Sequence, residues 1–395
     1  MTNTTTPYLG EITTAIENNQ PLTDEQTKLL LTTALDRSIN TIDLTYAEMR
    51  GVMLAIMQGQ CPDAMMGALL TALRMKGESI EEITAAAQVM RELAIKVDLS
   101  DIPNVVDIVG TGGDGANLFN VSTAATMVAA VAGCHVAKHG NGGVSGKSGS
   151  SDLLRQAGIN LDLTNEQIVA SIKTHGIGFL FAPNHHVAMK HAMPIRRALK
   201  TRTVFNILGP LTNPAGVKNA MIGVFTPTLC EPLANVFKNL GAEHVLVVGS
   251  VDNLDEISLA TYTHVAELKD GKVSVYDIEP EDMGIESQTL KGLIIDSPAQ
   301  SLALIREALA ENPNKTVIAK KAADMIALNA GATIYVAGKA ESLKDGVAIA
   351  KDIISSGKAL QKMEDQLKTF RTLSGEPYRL LALPMADKIV FDGER

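Results

Sequence analysis

The sequence predicts an α/β protein, in which a small all-helical domain precedes a larger α/β domain with a mainly parallel sheet. Three observations predict it. Through the first hundred or so residues apolar side chains recur three and four apart, as at Met49, Val52, Met53, Ile56 and Met57, which is helical spacing. At NVVDIVGTGGDG the period changes, because the β-branched run from Val105 to Val109 stops at a glycine turn and gives way to a helical stretch. Short apolar runs then alternate with helical stretches, the pattern of a parallel sheet covered on both faces.

Taken in order, YAEMRGVMLAIMQG, CPDAMMGALLTALRMKG and SIEEITAAAQVMRELA read as helices of the first domain. Pro62 stands at a helix start, and Ser79 with Glu82 makes a capping box. The expected division is residues 1–104 for the helical domain, joined by a helical segment near 191–209, and 105–395 for the α/β domain. Strand candidates there are VVDIV, HVAK, MIGVF, HVLVVG, KGLII and ATIYVAG, separated by helices such as EPLANVFKNLG and PAQSLALIREALAE. Ligands of such sheets sit at the carboxyl ends of the strands. The stretch after FRTLSG is assigned to no element.

Composition narrows the function classes. Of the 395 residues 46% are hydrophobic and 20% charged, and the net charge is -9, with no long Lys/Arg run or basic-aromatic stripe; nucleic acid is not an expected partner. The three cysteines, Cys61, Cys134 and Cys230, lie far apart without metal-like spacing, which points to a reducing, cytoplasmic setting. MTNTTTPYLGEITT has no basic region followed by an apolar core and does not read as a signal peptide. The uncharged run from Leu118 to Ala137 is interrupted by Asn120, Ser122, Thr123, Gly133 and His135, so a buried helix followed by a strand explains it better than a membrane span.

Four stretches carry candidate chemistry. In VDIVGTGGDGANLFNVSTAAT, Gly110, Gly112 and Gly113 permit close backbone approach, while Asn120, Ser122 and Thr123 are placed to cap the next helix and face an anion. The spacing is not that of a dinucleotide fingerprint. The second stretch, KHGNGGVSGKSGSS, follows HVAK and offers Lys138, His139, Asn141, Ser148 and Ser150 on a glycine-rich backbone. It is not a P-loop, since Asn141 occupies the position five before Gly146 where glycine is required. In VLVVGSVDNLDEISL, Asp252, Asp255 and Glu256 follow a strand, where neighbouring carboxylates can hold Mg²⁺ shared with substrate phosphates. The fourth, residues 179–216, holds His185, His186, His191, Arg196 and Arg197 before a proline- and glycine-marked loop; its histidines lack zinc spacing, and Arg196 can offer a planar fork to a carboxylate.

GTGGDG…FNVST, KHGN…SGKSGS, FAPNHH, RTVFNILGPLTNPAG and the DNLDEISL segment occur in an order and spacing that resembles the anthranilate phosphoribosyltransferases of tryptophan biosynthesis, over roughly residues 30–370. The resemblance implies a homodimer formed through the helical part and Mg²⁺-dependent transfer of phosphoribose from 5-phosphoribosyl 1-diphosphate (PRPP) to the amino group of anthranilate. It places PRPP against Gly110, Gly113, Asp114, Asn120, Ser122, Thr123, Lys138 and Ser150, and the metal at Ser122, Asp255 and Glu256. Anthranilate would meet Gly110, Asn141 and Arg196, with His139 and His186 nearby and Arg196 facing its carboxylate. No nucleophilic side chain is required. Two positions depart from the family pattern: Gly142 stands where members commonly have Arg, and Leu118 where many have Thr. Both lie in the expected PRPP site, so weaker PRPP affinity or a more mobile loop is the expectation.

Two other readings compete. A pyrimidine-nucleoside phosphorylase shares the architecture and a KHG-type loop, but LGPLTNP and the Asp-Glu pair argue against it. A non-catalytic, nucleic-acid-binding relative is disfavoured by the acidic balance, that pair and Arg196.

Overall fold

The computed structural model describes residues 7–143 and 146–373. Residues 1–6 and 374–395 of the two expected domains, and Val144 and Ser145 of the second glycine-rich stretch, lie outside the described residues.

Five helices open the chain: α1 (Pro7–Glu17), α2 (Asp24–Ile39), α3 (Tyr46–Met57), α4 (Asp63–Lys76) and α5 (Ile80–Leu93). Their ends follow from local chemistry. Thr23, Thr45 and Ser79 each accept a backbone N–H from the residue three further on, whose Gln or Glu side chain bonds back, so three of the five begin with a capping box. Gly51 lets α3 lie close to its neighbours, since a Cβ there would press on Ile16 and Leu30.

Seven strands follow: β1 (Val105–Gly110), β2 (His135–Gly140), β3 (Ile177–Phe181), β4 (Asn219–Gly223), β5 (His244–Ser250), β6 (Thr263–Lys269) and β7 (Lys272–Ile278). They form one sheet in the order β3-β2-β1-β4-β5-β6-β7, parallel as far as β5, with β6 and β7 antiparallel at one edge. Alternate residues of β5 go to opposite faces, as a two-residue period requires. Leu246 and Val248 join a core with α6 (Val121–Val131) and the helices Pro298–Leu309 and Val317–Val336. Val245 and Val247 join a second core that is continuous with the helical domain, and which also takes in Ala192, Val204 and Phe205.

Two strand expectations are corrected. ATIYVAG belongs to the helix Val317–Val336 and its C-terminal cap, where fourteen residues are buried; a helix enclosed nearly all round loses the polar face that would reveal its period. KGLII forms no strand, only a single bridge between Ile294 and Leu118. The sequence reading missed β3, β6 and β7.

Chain order places the crevice. From β1 the chain builds β2 and β3 on one side, then crosses to β4 on the other, so the order reverses between β1 and β4. Ligands of open α/β sheets bind outside the carboxyl ends of the strands at such a reversal.

Candidate active site

Gly110 and Gly223 end β1 and β4 and are direct partners in the parallel register. A Cβ on either would overlap Asp255: its carboxylate above Gly110, its backbone carbonyl above Gly223. The missing side chains make room for the segment after β5 to cross over the strand ends, and Asp255 and Glu256 then point into the crevice. Gly112 donates its N–H to Asp255 Oδ2 at 2.6 Å, and Ser122 donates its N–H to Glu256 Oε1 at 3.2 Å. Glu256 thus sits at the N-terminus of α6, where the helix dipole favours an anion. Gly112 and Gly113 have φ of 67° and 78°, so the turn needs residues without a Cβ.

The electrostatics are those of a site short of positive charge. Burial, then the nearby Asp114, pushes the Asp255 carboxyl up to about 7. Burial and Asp255 raise Glu256 well above the usual range, against the pull of Lys138. Lys138 is itself buried, which lowers its pKa, and Asp107, Glu256 and Asp255 oppose that. Its ammonium donates to Ile108 O at 2.6 Å and to Ser122 Oγ at 3.2 Å. Asp252, read with the pair from sequence, is not in it: it accepts from the hydroxyls of Ser250 and Ser258 and shapes its own turn.

The second glycine-rich stretch lies alongside. Asn120, at the N-terminus of α6, does not cap the helix with its side chain. Its amide instead donates to Ser148 O at 3.0 Å and accepts from the hydroxyls of Ser148 and Ser301 at 2.8 Å each, joining the two stretches. Thr123 Oγ1 is buried without a partner. Ser150 begins the helix Ser150–Gln156 and lies against Gly140, its hydroxyl donating to Asn141 O at 3.3 Å.

The fourth stretch, together with β2, supplies two kinds of group. His139, on β2, and His186 pack ring to ring at 5.3 Å, and both Nε2 atoms are buried without partners. Burial lowers both, His186 to about 4 with a further push from His185, so the pair is neutral at pH 7. His185 is structural, its Nδ1 bonded to Ile95 O at 2.9 Å. Arg196 lies on the helix Met193–Leu199, makes no ion pair among the described residues and stands over the Phe205 ring at 5.3 Å. Burial lowers its pKa from the ordinary value.

Sequence reasoning overlooked Gly223, Asp107 and Asn213. Asp107 is wholly buried on β1, accepting the His139 N–H at 3.1 Å and the Asn213 amide at 2.7 Å. It thereby fixes LTNP against the start of the second stretch. An acidic residue inside a β-branched run, VVDIV, was the available signal.

Residues 102–360 match the model of the glycosyl transferase family, a/b domain, and residues 32–94 that of the same family's helical bundle domain. The anthranilate phosphoribosyltransferase of Psychrobacter sp. (strain PRwf-1) is 66% identical over 348 residues, which are 87% of this chain and 94% of that protein. The chain belongs to the anthranilate phosphoribosyltransferase family. A solved anthranilate phosphoribosyltransferase from Thermus thermophilus superposes with a TM-score of 0.78 at 40% identity, covering 86% of this chain and 99% of that one. Another, from Saccharomyces cerevisiae in complex with PRPP and Mg, gives 0.78 at 25% identity, covering 89% and 99%. The family's two-part architecture is thus the one found here, and no helix among the described residues is long and apolar enough to cross a membrane.

Proposed function

We propose that the chain transfers the phosphoribosyl group of PRPP to the amino group of anthranilate, giving N-(5-phosphoribosyl)anthranilate and diphosphate, a step of L-tryptophan biosynthesis. The observation that carries the reading is the half-buried Asp255–Glu256 pair bonded to the first glycine-rich turn and the start of α6 at the strand reversal.

That pair fits Mg²⁺. The donors are all oxygen, and both carboxyls are held above their ordinary range by burial and by a neighbouring carboxylate, Asp114 for Asp255 and Asp255 for Glu256, which a bound cation would relieve. Ser122, Asp255 and Glu256 would hold the ion, which when bound neutralises charge developing on the departing diphosphate. Gly110, Gly113, Asp114, Asn120, Thr123, Lys138 and Ser150 would seat PRPP: the turn offers backbone N–H groups, and Lys138 a fixed positive charge behind Ser122. Anthranilate would lie with its carboxylate on Arg196, whose guanidinium has no competing acid among the described residues, beside Gly110, Asn141 and the neutral imidazoles of His139 and His186. The aryl amine is already a nucleophile, so the side chains contribute mainly by position. No general base is assigned.

The same reading divides the chain into a helical domain at 1–104, joined by the segment near 191–209, and an α/β domain at 105–395. It pairs two copies through their helical domains and places the enzyme in the cytoplasm.

Purified protein mixed with anthranilate, PRPP and Mg²⁺ tests the reading. Anthranilate should disappear only when all components are present. Failure to consume anthranilate, or phosphorolysis of a pyrimidine nucleoside instead, would overturn it.

A further inference from the structure

Arg202 has no role in the proposed activity as described above. Arg202 lies on the connector between the helix Met193–Leu199 and the short helix Phe205–Leu208, six residues beyond Arg196. It borders a cleft of about 520 Å³ between the two parts of the chain, lined also by Arg74, Glu78, Asp114, Thr203 and Phe225. Among the described residues it makes no ion pair. Its guanidinium donates to the carbonyl of Gly113 and lies over the Phe225 ring, 3.8 Å from the centroid.

Both contacts belong to one turn. Phe225 donates its N–H to Thr111 Oγ1 at 3.2 Å, and Thr111 donates its own N–H to Gly223 O at 2.9 Å, so Phe225 is fastened to the base of GTGGDG. Gly113 is its tip. Arg202 therefore bridges base and tip, across a stretch in which Gly112, Gly113 and Gly115 all have positive φ and supply no side chains to hold it. A trans peptide is planar, with C=O and the following N–H pointing opposite ways. Fixing the Gly113 carbonyl toward Arg202 therefore turns the Asp114 N–H the other way, and that N–H has no partner among the described residues.

The geometry points to Arg202 as a positioning residue that holds the Gly113–Asp114 peptide so that its N–H is aimed at the diphosphate of PRPP. The inference rests on the proposed phosphoribosyl transfer. A lysine would keep the charge but lose the flat contact with Phe225 and the forked donor.

The test is steady-state kinetics of Arg202→Ala, Arg202→Lys and Phe225→Leu, with PRPP binding measured by calorimetry in the presence of Mg²⁺ and without anthranilate. For Arg202→Ala the KM and Kd for PRPP should rise about tenfold, as loss of a charged hydrogen bond predicts, while kcat at saturating PRPP and KM for anthranilate change far less. Arg202→Lys should recover part of the PRPP affinity, and Phe225→Leu should weaken it in the same direction by a smaller factor. A PRPP Kd unchanged in both Arg202→Ala and Phe225→Leu overturns the inference, as does a fall in kcat with KM for PRPP unaltered. If Arg202→Ala does not fold, the other two variants decide the matter by the same criteria. A wild-type protein that consumes no anthranilate would instead count against the proposed reaction itself.

Discussion

The turn after β1 and the turn after β2 are both rich in glycine, yet different things hold them. In the first, Gly112 and Ser122 donate backbone N–H groups to Asp255 and Glu256, half-buried carboxylates from a segment more than a hundred residues away. In the second, the anchors are local or half-exposed. Asp152 accepts the N–H groups of Gly143 and Gly149 at 2.8 and 2.9 Å, and Asn117 Oδ1 accepts that of Lys147 at 3.0 Å. The Lys147–Asp296 ion pair that closes over it has both side chains at least half-exposed, a setting in which pairs contribute about 1 kcal/mol or less. The first turn is fixed by the acidic segment that crosses the strand ends, the second by Asp152 and by Asn117 and Asn120 of the first stretch, so substitutions should be felt very unequally in the two.

The largest expected effect is at Gly110. Alanine there drives a methyl into the carboxylate of Asp255, a proposed metal-site residue, and an ångström of displacement in a positioning group is enough to cost about 100-fold in rate. Gly142→Ala is the matched control, because its Cβ would meet only Asp152 Oδ1 at 3.4 Å and Ser151 Oγ at 3.5 Å as its nearest neighbours. Initial rates of anthranilate consumption should separate the two variants widely. Equal losses would erase the contrast between the turns.

A smaller effect, of opposite sign, is expected from Gly142→Arg. Position 142 has space for a side chain, and an arginine there adds a cation to the second turn, beside Asp152 and within the proposed PRPP site. KM for PRPP should fall by about threefold to tenfold, in line with a partly exposed charged contact. An unchanged KM would show that the second turn does not limit PRPP affinity.

The smallest effect concerns pH. His186, packed on the His139 that leads into the second turn, has its pKa lowered by burial from 6.5 to about 4. The unfolded chain therefore binds the proton more tightly, so this contribution to stability is complete above about pH 6.5 and is lost as the pH falls toward 4. Melting temperatures recorded across that window should drop with pH, and His186→Asn should flatten the dependence. Identical slopes for the two proteins would remove His186 as a source.

Much of the candidate site was legible because glycines, a lysine and paired carboxylates stand out against β-branched runs. Gly110, Asn120, Lys138, Asp255 and Glu256 declare themselves that way and are gathered at one end of the sheet. What stayed hidden depends on pairings through space. Gly223 looks like any strand glycine until the register sets it beside Gly110, and Asp107 gains its meaning only from Asn213, which arrives from a distant loop. Asp252 failed for the converse reason: adjacency in sequence did not bring it into the crevice. The strand errors share a cause as well. In a helix enclosed along most of its length, such as Val317–Val336, apolar residues occupy nearly every face and leave little period to read.

The facing glycines at the tops of β1 and β4 have one more consequence. They form a notch in the rim of the sheet, and its depth equals two absent methyl groups, one on each strand. Neither glycine brings a reacting group to the notch, so their contribution is entirely one of vacancy. A chain that gained atoms at either place would keep every acid, base and cation of the site and still lose the crossing that brings Asp255 over the sheet. Chemical competence at this rim is therefore set as much by where the polypeptide declines to place matter as by the groups it displays.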